Sequence, residues 1–344
     1  MNIYGYFLKS TLLFFVFNAA ALNSLTYAQD YKSLTELEVL QKIPSQVLKD
    51  LTGAGMPDQK GMVGRNRNGW IHVAFQRGAA FSFIAAVALG DLKSAERAWN
   101  AIEVGFLKQM REGNFELGEF EGKKPRKLDD YSGVSFWLAS VSRAILVVRE
   151  SEFNSSFKER IEILLPKIEK SANWLLKHKE ELKDYDIQTA NRLFFDALAF
   201  GLCGLLLNKE ELSIAGNNFF KAGLSMQKED GVLLEEGGYD SSYQATSLIN
   251  MQIYRIYFPG KELEKAITKA FQWELSRIEE SGRINVEGNT RIGRNQEKLL
   301  GKIKKVSYQD VVLSLFYYGI LTNNSNAASV AEKVYLYKKD NPGQ

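Results

Sequence analysis

The chain is poor in the residues that build metal and redox centres. Its 344 residues include two histidines, His72 and His178, and one cysteine, Cys203. A His/Cys zinc site needs more ligands than these, and one thiol forms neither an intrachain disulfide nor a Cys–Cys redox pair. Charge of one sign is lacking as well. Lys and Arg number 44 and Asp and Glu 41, a formal +3, which gives no field of the kind that draws a protein onto nucleic acid. Six prolines leave room for long helices. The glycine patterns of dinucleotide and phosphate loops and the GxSxG elbow are missing, which disfavours dinucleotide, phosphoryl-transfer and elbow-type hydrolase chemistry. No cofactor and no metal are expected.

The N-terminus reads as an address. Lys9 precedes the apolar run Leu12 to Phe17, Ala19 to Leu22 follow, and Thr26-Tyr27-Ala28 place small residues before Gln29. This is the pattern of a secretory signal, residues 1–28, which leaves 29–344 as a single domain in the periplasm or outside the cell. A retained membrane anchor is the alternative, although the uncharged stretch turns polar after Ala21. No other run of about 20 apolar residues follows, so no membrane is expected to hold the chain after cleavage. Cys203, in Phe200-Gly201-Leu202-Cys203-Gly204, reads as a buried packing thiol.

Apolar spacing predicts helices near 33–51, 70–90, 92–110, 132–149, 155–178, 191–207, 209–227, 241–258, 261–279, 308–321 and 326–338. Those at 70–90, 132–149, 191–207 and 308–321 are apolar nearly all round, as buried helices are; those at 92–110, 155–178 and 261–279 carry Lys and Glu on one side, as outer helices do. Three turns repeat around Gly113, Gly231 and Gly282, the last two without gaps at an offset of 51 residues. Units of this length imply roughly six helical hairpins that bury their apolar faces only against one another. The predicted fold is all-α, an (α/α) toroid with an inner circle of apolar helices.

The long connections, 53–69, 111–130, 179–190, 228–240 and 280–307, all lead from an outer helix to the next inner one. Function concentrates where a rigid scaffold carries long loops. These loops bring Trp70, His72, Tyr131, Asn191, Arg192, Glu235, Glu236, Tyr239, Asp240, Tyr243, Gln244, Glu287, Asn289, Arg291, Arg294, Gln296 and Glu297 to one side. Aromatic rings with carboxylates, amides and arginines make a sugar-binding surface. The expected partner is a polysaccharide or oligosaccharide, anionic where the arginines meet it, with no nucleic acid involved. Each residue also has a plainer reading: Asn191 as a helix cap, Arg192 in an ion pair, His72 and Tyr243 as packed rings, Trp70 as core.

Thr189-Ala190-Asn191-Arg192-Leu193-Phe194-Phe195-Asp196 resembles the helix start that carries a catalytic Asn in toroidal polysaccharide lyases of the alginate-lyase and heparinase-II/III-like families. Asp230-Gly231-Val232-Leu233-Leu234-Glu235, leading to Ser241-Ser242-Tyr243-Gln244, resembles their turn before the helix with the catalytic Tyr. The resemblance implies that Asn191 and Arg192 neutralise a uronate carboxylate and that Tyr243 moves the proton. Arg192 stands where those lyases usually show a His. β-Elimination needs a stabilised enolate and a base, which a guanidinium and a nearby Tyr supply. Inverting hydrolysis needs two carboxylates about 6.5–9.5 Å apart, for which Glu235, Glu236, Asp240, Glu287, Glu297, Asp129 and Asp130 are candidates. A non-catalytic glycan-binding or exopolysaccharide-assembly protein is the third reading.

Overall fold

The computed structural model describes residues 31–119, 127–293, 298–299 and 302–343. The signal sequence expected at 1–28, and with it Arg294, Gln296 and Glu297, lies outside the described residues. Thirteen α-helices are present among the described residues: α1 Glu36–Gln41, α2 Ser45–Gly55, α3 Gly78–Ala88, α4 Leu92–Phe106, α5 Lys127–Arg149, α6 Asn154–Lys177, α7 Lys179–Asp186, α8 Ala190–Leu207, α9 Glu210–Ser225, α10 Ser241–Tyr257, α11 Lys261–Ser276, α12 Tyr308–Thr322 and α13 Ser325–Asp340. One two-residue antiparallel hairpin, β1 Lys298–Leu299 and β2 Lys302–Ile303, accompanies them. The all-α expectation holds.

Local chemistry sets the boundaries. The helix expected over 33–51 is two. Thr35 and Glu38 form a capping box that starts α1, and Pro44, which has no N–H to give, caps α2 and breaks the run. The helix expected from 70 begins only at Gly78, after two 3-10 turns, Gly64–Asn68 and Val73–Gln76. Here α2 and α3 cross closely: a Cβ on Gly55 would lie 2.4 Å from the Gly78 carbonyl oxygen. The loop expected over 179–190 contains α7. Asn208 and Asn323 close α8 and α12 in the left-handed conformation that asparagine tolerates.

The apolar helices contact one another in chain order, α3 with α5, α5 with α8, α8 with α10, and α10 with α12. The short α1 touches α12, α3 and α5. The amphipathic α4, α6, α9, α11 and α13 lie respectively against α3, α5, α8, α10 and α12, and α2 against α3. Two stretches, Asp130–Arg149 and Ala190–Leu207, are apolar and long enough to cross a membrane, but 89% and 78% of them is buried within the protein. They serve here as core helices. Cys203 is fully buried beside Ser142, and burial pushes its thiol up to about 12, so it stays protonated and inert.

The sequence repeat is a structural one. Gln109 bridges to Phe115, Gln227 to Leu233 and Ile278 to Ile284, three equal turns around Gly113, Gly231 and Gly282. All three glycines have positive φ, at 110°, 97° and 89°. A Cβ on each would meet the carbonyl oxygen of Lys170, Lys269 or Lys333, at 2.4, 2.2 and 2.5 Å. The turn after each outer helix therefore presses against the outer helix that follows: α4 on α6, α9 on α11, α11 on α13. Gln109 and Gln227 add side-chain amide bonds to the Lys167 and Ala266 carbonyls of the same neighbours. Tyr335 on α13 donates to Asp50 on α2.

The first described residues seat α1 against the ends of distant helices. Lys32 N–H bonds the Leu321 carbonyl at 2.7 Å, and Leu37 N–H bonds the Glu150 carboxylate at 3.2 Å. Glu36 is fully buried, pairs with Arg143, and accepts from the Tyr317 and Tyr257 hydroxyls. A cavity of about 60 Å³ is lined by residues of α1, α2, α3, α5, α8, α10 and α12.

Candidate functional site

The turn between α9 and α10 is the hub of the site. Its strand-like entry binds the start of α8, through Ala190 N–H to the Leu234 carbonyl at 3.1 Å and Glu236 N–H to the Gln188 carbonyl at 2.9 Å. Glu235 turns inward and is fully buried. One carboxylate oxygen accepts the backbone N–H of Asn191 at 3.0 Å and its side-chain amide at 2.5 Å; the other accepts Arg291 Nη1 at 2.9 Å. Burial pushes the Glu235 carboxyl up, and the Asn191 N–H and the Arg291 charge hold it back. Glu236, next in the chain, has φ 52° and an exposed side chain 3.5 Å from Arg291 Nε. Left-handed backbone at a glutamate with no helix to cap is a conformation held by its surroundings.

Arg291 is placed by Asp240. As the N-cap of α10, Asp240 accepts the Ser242 and Tyr243 N–H groups on one oxygen and those of Arg291 and Ile292 on the other. The guanidinium carbon of Arg291 then lies 4.0 Å from the centre of the Tyr243 ring. Lys304, just beyond the small hairpin, donates to the Tyr243 hydroxyl. Asn191, Glu235, Arg291, Tyr243 and Lys304 thus form one chain of contacts across three loops.

The other expected residues fall into two groups. Asn289 is fully buried and accepts from the Ser241 N–H and hydroxyl, so it orders the start of α10. Gln244, also buried, clamps the repeat turn through Leu233 N–H and the Gly231 and Ala270 carbonyls. Arg192 pairs with the buried Asp186 at 2.9 Å; burial alone would lower its pKa, but the Asp186 charge raises it. Tyr131 is buried against Trp174 and His178. His72 is buried over Gly133, where a Cβ would collide with its ring, and its Nε2 lies 3.6 Å from Asp130. Closer to solvent, Trp70 donates to the Glu116 carbonyl at 2.7 Å, Tyr239 donates to the Glu287 carbonyl at 3.2 Å, and Glu287 is exposed. The structure therefore brings Asn191, Glu236, Tyr243 and Arg291 together, and it engages Asn191 and Arg192 with internal carboxylates.

Two site residues escaped the sequence reading. Lys304 sits in a Lys-rich stretch that looks like solvated surface. Arg77 lies at the head of an apolar helix, with its guanidinium carbon 5.2 Å from the Phe136 ring centre and 5.8 Å from that of Phe195. Among the described residues, no group of three or more His, Cys, Asp or Glu side chains is placed to hold a metal ion. No protein-family model matches the chain, and no curated protein matches it.

Proposed function

We propose that the helical hairpins close into an (α/α) toroid and that the protein is an exported lyase that cleaves uronate-containing glycan by β-elimination. Support for closure comes from the chain-order contacts of the apolar helices, the seating of α1 against α12 and α3, and the Tyr335–Asp50 bond between the last and first outer helices. Support for export comes from the signal pattern at 1–28.

The observation that carries the reaction is the setting of Tyr243. Arg291 covers its ring and Lys304 holds its hydroxyl. Positive charge beside a phenol favours the phenolate, and a phenolate is a base able to take the C5 proton of a uronate. The electrons left at C5 form an enolate that the same cations stabilise; the C4–O bond then breaks, its oxygen leaving with the proton that Tyr243 took from C5, and a C4–C5 double bond remains. The buried Glu235 is saturated by Asn191 and Arg291, which leaves it poorly placed for the paired-carboxylate chemistry of an inverting hydrolase. One finding favours a non-catalytic glycan binder instead: the Asn191 amide and the Arg192 guanidinium face internal carboxylates.

The test is incubation with glucuronate-, galacturonate- and mannuronate-containing polymers. An ultraviolet-absorbing unsaturated product is expected from the wild type, and Tyr243→Phe should lower its rate at least a hundredfold with an unchanged melting temperature. New reducing ends without that absorbance would instead mean hydrolysis. Binding without any product would mean recognition alone.

A further inference from the structure

We propose that Arg77, stacked on Phe136 and Phe195, is the anion-binding residue of the site, the group that receives the acidic substituent of a sugar beside Tyr243. The inference deepens the lyase reading and rests on it for the position of the sugar. It moves carboxylate recognition away from Asn191 and Arg192, whose polar groups are already engaged.

Arg77 differs from the other arginines around it. Arg143 has Glu36, Arg192 has Asp186, Arg255 has Glu264 and Arg291 has Glu235, each within ion-pair distance. The Arg77 guanidinium makes no hydrogen bond and no ion pair among the described residues. It is partly buried, and burial pulls its pKa below the ordinary arginine value while the more distant charges of Asp310 and Tyr243 oppose this. A partly desolvated cation without a hydrogen-bonded partner is costly to keep. The two phenylalanines explain how its position is held, since their rings lie 4.7 Å apart and both face the guanidinium. They do not satisfy its N–H donors, and an oxyanion with two acceptor oxygens does.

The location fits such a ligand. Arg77 precedes α3, Phe136 and Phe195 come from α5 and α8, and Tyr243 and Asp310 from the first turns of α10 and α12. Phe195 and Asp310 also line the cavity among these helices. That cavity, at about 60 Å³, has room for a few waters, each needing on the order of 10–15 Å³. A sugar ring at the level of Tyr243 would extend its acidic substituent toward Arg77. Asp310 is no substitute for the ligand: burial pushes its carboxyl up, and Thr246 donates to it.

The experiment measures binding and turnover separately. Glucuronate, galacturonate, glucose 6-sulfate and neutral glucose are titrated into the wild-type protein and into Arg77→Gln, Arg77→Lys and Arg77→Met, with ligand-observed NMR as readout and melting temperatures as the control for folding. The wild type is expected to favour the acidic sugars over glucose at least tenfold, with the uronate and sulfate arms identifying which oxyanion fits. Arg77→Gln and Arg77→Met should bind acidic and neutral sugars alike, and Arg77→Lys should retain part of the preference. Should Arg77→Gln fail to fold, the Lys variant, which keeps the charge and loses the fork, carries the comparison. No preference in the wild type, or an undiminished preference in the variants, overturns the proposal. Acidic-sugar binding that depends on Arg77, without unsaturated product, upholds it and sinks the lyase reading; product formed by Arg77→Gln at unchanged KM does the reverse.

Discussion

Glu235 and Glu236 are adjacent, identical in type, and opposite in fate. The first is sealed between Asn191 and Arg291, and the second is exposed in left-handed backbone. Nothing in a one-dimensional pattern separates them, because the separation comes from loops 44 and 56 residues away in sequence. The same holds for Arg192, whose partner Asp186 sits on a helix the sequence did not suggest. Tyr243 and Arg291 each follow a repeated turn, which drew attention to them in the sequence; Arg77 and Lys304 did not stand out, because their neighbours are respectively apolar and Lys-rich. Burial also sets the pH response of single groups. Glu274 is fully buried, neither of its oxygens has a hydrogen-bond partner among the described residues, and burial, then the nearby Asp240, push its carboxyl well up. A carboxyl raised in the folded state lends stability that is complete below its unfolded value of 4.5 and is lost as pH rises through the folded value. Glu274→Gln should therefore be more stable than the wild type by a margin that widens from about pH 4.5 upward, measured by urea denaturation across pH. A constant margin would mean that Glu274 keeps its charge.

Helices were the most legible elements, since an apolar stripe at helical spacing leaves little choice. The exceptions have physical reasons. Lys179–Asp186 buries only Leu182 and Asp186, too little for a stripe to show. Pro44 was visible, but the apolar pattern runs through it. Packing between helices adds a constraint of its own where α8 meets α9. A Cβ on Gly216 would lie 2.6 Å from the Gly201 nitrogen and 2.9 Å from the Ala197 carbonyl oxygen, and one on Gly204 would lie 2.3 Å from Ser213 Oγ. These glycines are there for backbone approach, so Gly216→Ala must separate the two helices. The expected cost is about 1–3 kcal/mol, read as a lower urea midpoint with an unchanged slope. A neutral or stabilising result would mean that the pair can shift without loss.

At the scale of the whole molecule, the repeat offset matches three equivalent turns in the structure, and it was silent on the seat of α1. That helix, which the sequence reading merged with α2, packs against α12, α3 and α5. Glu36 brings a charge into the middle of the helices, where Arg143 and two tyrosine hydroxyls receive it. Removing it leaves Arg143 buried and unpaired, so Glu36→Ala should cost about 3–5 kcal/mol in equilibrium denaturation, and Glu36→Gln less. A loss under about 1 kcal/mol would mean that water already reaches the pair. The seat of α1 also fixes an order of events. Glu36 and Tyr317 are 281 residues apart, so α1 can meet α3 and α5 early, but its seat is complete only when the trailing end of the chain is present. At roughly 5–20 residues per second of synthesis, completing that seat takes tens of seconds. Closing so long a span costs little extra entropy, so the delay burdens the newborn chain and its chaperones while leaving the finished protein no less stable.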